Sequence, residues 1–272
     1  AGISATFNAP IAGALFAAEV ILADFAVAQF TPIVISSVVA TVASRFFLGN
    51  HPAFLVPPYE IVSPFELAPY MFTGVVAGLV AVVFIRTLNT AEDQFARIPM
   101  PEYLKAGLGG LIVGAIGIGL PEVFGVGYST ISLALAGELA AWTMGLLVIM
   151  KILATSITIG SGGSGGVFAP SLFLGAMTGG FLGTFVNDWF PDATASSGAY
   201  ALVTMGAVVA AATEPRRSLA PLAVVVGPYE RPHSLVQMSQ NTLVSFVGSS
   251  SGVSAISCPR MSSPPASCVT SN

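Results

Sequence analysis

The sequence predicts an all-α integral membrane protein whose helices cross the bilayer several times. Hydrophobic residues make up 54% of the 272 positions and charged residues only 8%, whereas soluble domains carry about 25% charged residues. The apolar residues also fall into uncharged runs, and a helix needs about 20 such residues to cross the hydrocarbon core. So few charges cannot cover a water-facing surface, and lipid is therefore the expected environment.

The first runs predict two helices and a loop. Residues 1–44 contain only two charged side chains, Glu19 and Asp24. Because proline interrupts helices, Pro10 and Pro32 are expected to divide this stretch into roughly two helices. Residues 46–66 are rich in proline and predict a loop outside the membrane.

The central runs differ in length. Residues 67–85 predict a spanning helix, and the polar segment 86–105 that follows is expected to be solvated. Residues 106–121 form the next uncharged run. The runs 123–137 and 139–150 are short, so they predict re-entrant or strongly tilted helices rather than simple spans.

The last uncharged runs are 152–187 and 193–213. Lys151 and Glu138 fall between runs. We expect both side chains to lie near helix ends, where a long charged side chain can reach the membrane surface.

Glycine pairs spaced four residues apart predict close helix packing, because two small residues on one face let helix backbones approach in lipid. The pairs are Gly74 with Gly78, Gly110 with Gly114, and the series Gly175, Gly179 and Gly183. We interpret them as packing sites within a multi-helix bundle.

The two ends of the chain carry little chemistry. The opening A-G-I-S-A-T-F lacks the features of a signal peptide and is expected to be an internal piece of a longer chain. Cys258 and Cys268 have neither histidine neighbours nor the spacing of metal ligands. The net charge of −4 comes without a cluster of bases, so nucleic acid is not an expected partner.

Two distant segments share a pattern in which a glutamate follows a proline by nine residues. Residues 9–19 contain Pro10 and Glu19, and residues 220–230 contain Pro221 and Glu230. Such an echo in a membrane protein indicates the internal repeats that transporters use.

The segment 160–170, G-S-G-G-S-G-G-V-F-A-P, is the candidate functional site. It contains a literal G-x-G-x-x-G, but a dinucleotide site needs a short strand before that motif. Helix-length apolar runs flank it here, so this interpretation is rejected. A phosphate-binding P-loop also fails, since no Gly-Lys-Ser/Thr follows.

An intramembrane serine protease is the alternative from another functional class. Residues 162–165 match G-x-S-G, with Ser164 as the nucleophile that a histidine on another membrane helix would activate. The two histidines, His51 and His233, both lie outside the clean apolar runs. The protease is therefore disfavoured.

A helix start fits the segment better. Pro170 suits a first helical turn, whose free N–H groups and partial positive charge attract anions. Glycines before the turn let the backbone approach a ligand closely. With no lysine or arginine beside it, such an end predicts moderate binding of a small anion that must also leave. A glycine-rich helix break without a ligand is the plainer alternative.

Several motifs in the right order resemble the CLC chloride channel and chloride/proton antiporter family. They are A-G-I-S-A-T-F-N-A-P-I-A-G-A-L-F-A-A-E-V-I, P-E-V-F-G-V-G-Y-S-T-I, G-S-G-G-S-G-G-V-F-A-P-S-L-F-L-G-A and G-A-Y-A-L-V-T-M-G-A-V-V-A-A-A-T. The resemblance covers residues 1–213, with a weaker echo at 219–230. Residues 1–230 are thus taken as a partial CLC-type membrane domain, and 231–272 as a divergent Ser/Pro-rich tail that is predicted to be disordered.

The resemblance implies a multi-pass, α-helical homodimer. Each subunit would have its own pore, and its two halves would form an inverted repeat with re-entrant and tilted helices. The expected function is transport of chloride or a similar small anion, as a voltage-gated-type channel or a chloride/proton antiporter. Neither enzymatic chemistry nor a metal or other cofactor is expected.

The same resemblance assigns the site residues. The backbone amides of Val167 and Phe168 would bind the central chloride. Gly166, Ala169 and Pro170 would shape the start of the helix.

Glu19 matches the first of two neighbouring glutamates that some antiporters carry, and it is a candidate for a buried functional acid, with a structural hydrogen-bonding acid as the alternative. The second position is Val20 here, which favours a passive channel or an exchanger with another proton route.

The chain also departs from the family pattern. The serine loop G-S-G-I-P and the gating motif G-R-E-G-P, which lie upstream in the family, are absent from these 272 residues, and the pore tyrosine has no convincing match. Residues 214–218, followed by Leu219, separate A-A-A-T from the A-P that follows it directly in the family. We therefore expect a truncated pore, and an inactive fragment is a further alternative.

Overall fold

The structure is a computed structural model, and it describes residues 1–22, 27–54, 56, 66–191 and 194–213, with residues 27–29 described for the backbone alone. Every regular element in these ranges is helical, which confirms the all-α class. The elements are α1 (Gly2–Phe7), α2 (Pro10–Phe16) with a π-helical turn (Ala17–Leu22), α3 (Val27–Leu48), α4 (Leu67–Arg97), α5 (Glu102–Gly119), a 3₁₀ turn (Pro121–Val123), α6 (Tyr128–Ala136), α7 (Ala141–Gly160), α8 (Phe168–Trp189) and α9 (Ser197–Thr213).

Helices α3, α4, α5, α7 and α8 are long and apolar enough to cross a membrane. The α2 segment with its π-helical turn, and α9, are apolar but shorter. Helix α6 has nine residues, too few to cross the hydrocarbon core.

The first two helices form a corner that packs on α3. Asn8 ends α1 in the left-handed conformation, with φ 56°, and its side-chain Nδ2 donates to the side-chain Oδ1 of Asn50 at 2.7 Å. Arg45 near the end of α3 donates from Nε to the side-chain Oδ1 of Asn8. Polar side chains at the end of α3 and just after it therefore hold the corner in place.

Three boundaries differ from the sequence prediction. Pro32 lies inside α3 and does not divide it, because a proline near a helix start removes a single internal hydrogen bond and lipid gives the chain no polar partner for an open break. The run 139–150 was expected to form a short element. It is instead part of α7, which has 20 residues and continues past Lys151 to Gly160. The beginning of the polar segment 86–105 is a continuation of α4, which has 31 residues, and its Arg86, Asp93 and Arg97 are exposed.

The packing prediction is confirmed along the seam between α8 and α9. A Cβ atom added to Gly175 would lie 2.4 Å from the Met205 Cα, and one added to Gly179 would lie 2.3 Å from the Tyr200 carbonyl oxygen. Gly183 approaches Tyr200 and Ser197 in the same way. Glycine is required here because the two backbones are in contact.

The other glycine pairs behave differently. Added Cβ atoms on Gly74, Gly110 and Gly114 would meet no neighbouring atom of the described residues within 4 Å. The prediction of close packing is therefore wrong at these three positions within the described part of the chain.

Candidate anion-binding helix end

The candidate site residues lie together at the start of α8. Val167 is the N-cap residue, with φ −94° and ψ −30°, and Phe168 is the first helical residue. The Ser171 amide makes the first backbone hydrogen bond, to the Val167 carbonyl oxygen at 3.0 Å. Pro170 stands in the first turn and Gly166 directly before the cap, so the predicted helix start is confirmed.

The amides at this helix start are free. Among the described residues, the backbone N–H groups of Val167 and Phe168 donate to no protein acceptor. Val167 is 3% exposed, and Phe168, Ala169 and Pro170 are half-buried. The Ala169 N–H group has no acceptor among these residues either, so the arrangement can offer three hydrogen-bond donors and the positive end of a long helix to an anion.

The glycines before the helix fold the chain back on the end of α7. Gly162 has φ +88°, a conformation that side chains disfavour. The Gly163 amide donates to the Thr158 carbonyl oxygen at 2.9 Å. A Cβ on Gly160 would lie 2.8 Å from the Ala91 carbonyl carbon of α4. The loop is a tight, packed turn rather than a flexible linker.

Aromatic rings surround the helix start. The Phe168 ring centroid lies 4.9 Å from that of Phe16 and 5.9 Å from that of Phe7. Phe7 also contacts Tyr128, the first residue of α6, at 6.1 Å, and Phe54 at the same distance. The starts of α6 and α8 thus meet on Phe7, a contact for which the sequence carries no local indication.

Lys151 is a further polar group that sequence reasoning misplaced. It lies in the interior of α7 and is 2% exposed. Its Nζ donates to the carbonyl oxygens of Val123 and Gly125, both at 2.7 Å, and lies 4.8 Å from the Phe173 ring centroid. The expectation that this side chain reaches the membrane surface is wrong, because backbone carbonyls satisfy the ammonium inside the protein.

Comparison with known proteins shows which family this helix end belongs to. A family model described as voltage gated chloride channel matches residues 1–250. The chain belongs to this family.

Curated relatives in the family include proteins of two bacteria. A putative chloride channel protein ClcB-like of Ralstonia nicotianae is 38% identical over 213 residues, which cover 78% of this chain and 50% of the relative. A voltage-gated ClC-type chloride channel ClcB of Escherichia coli is 33% identical over 234 residues, covering 85% of this chain and 56% of the relative. The chain therefore spans about half the length of these relatives.

Two solved structures share the CLC fold. A CLC-type fluoride/proton antiporter has a TM-score of 0.62 at 21% identity, covering 89% of this chain and 58% of that one. A slow cyanobacterial Cl−/H+ antiporter has a TM-score of 0.68 at 23% identity, covering 89% of this chain and 63% of that one. With its apolar helices, the chain is a multi-pass integral membrane protein of this fold.

Glu19, the candidate acid of this CLC chain, lies in the π-helical turn after α2. Its side chain is exposed in the structure, so the expectation that it is buried is wrong. A π-helical turn often accompanies function, and a functional role for Glu19 stays a prediction.

A buried carboxylate exists elsewhere in this CLC chain. Glu66 is 1% exposed, and its Oε1 accepts hydrogen bonds from the Tyr70 hydroxyl at 2.9 Å and the Ala195 amide at 2.7 Å. The Tyr70 ring stacks on Tyr200, with centroids 4.5 Å apart. This cluster ties the start of α4 to the segment before α9, and sequence reasoning missed it because Glu66 ends a proline-rich loop.

Ser164 lies in the glycine loop with its side chain exposed. No hydrogen bond joins it to a histidine within the described residues. His51 is exposed, while His233, both cysteines, the repeat segment 220–230 and the tail 231–272 lie outside the described residues. Nothing in the comparisons supports the protease alternative.

Proposed function

We propose that this protein moves chloride or a similar small anion across a membrane. The observation that carries the proposal is the pair of free amides of Val167 and Phe168 at the start of α8, in a chain of the voltage-gated chloride channel family. Backbone donors at a helix start suit a ligand that must be bound briefly and then released. The curated relatives bear the name of chloride channels.

The mechanism rests on dipoles rather than covalent chemistry. A partly dehydrated chloride would accept hydrogen bonds from the two amides, which replace part of its hydration shell. The surrounding rings of Phe7, Phe16 and Phe168 would lower the local dielectric and so strengthen that interaction. Since no bond is made or broken, we propose that the protein is not an enzyme and needs no cofactor.

Val20 bears on the choice between a channel and an antiporter. It stands where some antiporters carry a second glutamate that accepts protons, so we favour a passive channel or an exchanger with another proton route. The two solved neighbours are antiporters by their descriptions. The finer assignment is decided by whether a chloride gradient drives proton movement.

The test is ion flux into liposomes. The full-length gene product would be purified and reconstituted, and chloride efflux would be followed with a chloride electrode while a pH electrode follows protons. We expect chloride efflux above that of protein-free liposomes. Efflux equal to that of protein-free liposomes would contradict the proposal.

A parallel sample would contain the 272 residues alone. Flux from the full-length gene product without flux from this sample would identify an incomplete pore, the alternative that the missing G-R-E-G-P motif raises.

We further propose that the protein works as a homodimer in the lipid bilayer. The resemblance to the CLC family supports this, as do the exposed apolar side chains of α3. Ile35 is 59% exposed, Val39 61% and Phe46 83%. Such a face needs lipid or protein to cover it.

A further inference from the structure

Lys151 is a buried charged group for which the anion mechanism above has no role. It sits in the middle of α7 and is 2% exposed. An ionisable side chain inside a membrane protein is costly and marks a functional position by default. Its surroundings therefore need an explanation beyond helix packing.

The partners of Lys151 are electron-rich and uncharged. Two carbonyl oxygens, of Val123 and Gly125, accept from Nζ at 2.7 Å, and the face of the Phe173 ring lies beneath it at 4.8 Å. These are the neighbours that a buried ammonium requires. Within the described ranges no carboxylate pairs with Lys151, so its positive charge is solvated without being cancelled.

The position of this charge links it to the helix end. Phe173 is five residues after Phe168 on α8, a distance of about 7.5 Å along the helix axis. The ammonium is thus held beside the second turn of the helix that carries the free amides. A Cβ on Gly127 would lie 2.6 Å from the Phe173 ring, so the loop that Lys151 holds also packs on α8.

The carbonyl contacts also limit what Lys151 can do. With Nζ fixed on the loop that precedes α6, the side chain cannot swing to the first turn of α8 and contact an anion there. A charge in a low-dielectric interior nevertheless acts over many ångströms, and mobile salt screens buried charges weakly. In this geometry Lys151 can attract an anion over a distance, whereas only the amides at the start of α8 can contact it.

We propose that Lys151 raises anion affinity as a fixed positive charge, held one to two turns behind the free amides of α8. This inference rests on the proposed function, and it replaces the expectation that no cationic side chain lies near the site. The ammonium raises the local anion concentration, and the amides provide the contact that can be released.

The experiment compares charged and neutral side chains at position 151 in the full-length gene product. Lys151→Arg keeps the charge, Lys151→Gln keeps an N–H donor but loses the charge, and Lys151→Met loses both. Two neutral variants are included so that the effect of removing the charge can still be measured if one of them does not fold. Lys105→Gln is the matched control, because Lys105 is half-buried near the start of α5.

The measurement is chloride flux against chloride concentration in liposomes, which separates the half-saturating concentration from the maximum rate. We expect the neutral variants to raise the half-saturating concentration by roughly three- to tenfold, the effect of one unit charge at this range. Lys151→Arg and Lys105→Gln should stay within about twofold of wild type.

Two results would overturn the role of the charge. One is neutral variants that elute as folded protein and keep the wild-type half-saturating concentration. The other is Lys151→Arg with as large a rise as Lys151→Gln, because hydrogen-bond geometry rather than charge would then matter. Both results require wild-type flux, so they leave the proposed function standing. A wild type without flux overturns the proposed function and this role together.

Discussion

At the scale of single residues, the chemistry of the helix end belongs to the backbone. Val167 contributes an N–H group that points out of the first turn of α8, and its branched apolar side chain is buried. Substitutions that change only the side chain therefore test packing. Only a residue without an N–H group tests the amide.

Val167→Pro should lower chloride flux by at least tenfold, because proline removes the amide and a hydrogen bond to a charged group is worth about 1.5–3 kcal/mol. Gly166 before it accommodates the proline ring, and φ at this position is −94°, not far from the range of proline. Val167→Ala, which keeps the N–H group, is the matched control and should remain within about threefold of wild type. Equal flux from the two variants, at equal folded yield, would refute the amide site.

Ser164→Ala separates transport from proteolysis. The side chain is exposed and makes no hydrogen bond within the described residues, so we expect flux within about twofold of wild type, as for most surface substitutions. Flux and cleavage of a membrane-embedded test peptide would be measured on the same preparation. Peptide cleavage by wild type that the alanine variant loses would revive the protease alternative.

The residues of the helix end could be predicted from sequence because they are local. The glycines, Val167, Phe168 and Pro170 are consecutive, and a helix start depends on neighbours in the chain. Phe7 and Lys151 could not be predicted, because their partners are brought together by packing of distant elements. Lys151 even led to a wrong prediction, since composition cannot tell a charge at the surface from one bonded to buried carbonyls.

At the scale of elements, the seam between α8 and α9 is a close helix contact that glycines make possible. Gly175, Gly179 and Gly183 recur every four residues on one face of α8, and the backbone of α9 lies directly against them. The periodicity was visible in the sequence. The partner helix was not, and Gly110 and Gly114 show the same spacing although no atom of the described residues lies within 4 Å of a Cβ added to either.

Gly179→Ala should destabilise the protein by about 1–3 kcal/mol, because the added methyl group must displace the backbone of α9. Gly114→Ala is the matched control, since an alanine in an unobstructed helix gains helix propensity. Thermal unfolding in detergent, followed by the loss of the folded elution peak, would rank the variants. A Gly179→Ala midpoint at or above that of Gly114→Ala would contradict the packing of the seam.

The predicted helix boundaries were wrong where a single proline or charged residue was expected to end a helix. Pro32 and Lys151 each interrupt an apolar run, yet α3 and α7 continue through them. In lipid an interrupted helix would leave backbone groups without partners, so the cost of a break exceeds the cost of tolerating one unfavourable residue.

At the scale of the whole molecule, the proposed homodimer would carry two independent pores. Co-expression of wild type with an inactive Val167→Pro chain should then give flux in proportion to the fraction of wild-type chains, because each subunit conducts by itself. Differently tagged chains, purified through both tags, would provide dimers with one chain of each kind. Complete loss of flux in such dimers would show that the pore is shared, and failure to recover them would contradict dimerisation.

Helix α4 is longer than the hydrocarbon core is thick, so one end of it is expected to extend into water. Its 31 residues extend about 46 Å, whereas the hydrocarbon core is about 30 Å thick, and its charged residues all lie within positions 86–97 at its C-terminal end. Gly160 packs directly on Ala91 in that part of the helix, so we expect the glycine loop to begin near the aqueous edge of the bilayer. In the proposed pore, an ion that enters from this side would reach the start of α8 after crossing only part of the transmembrane voltage. Binding measured from the two sides should therefore differ in its dependence on voltage.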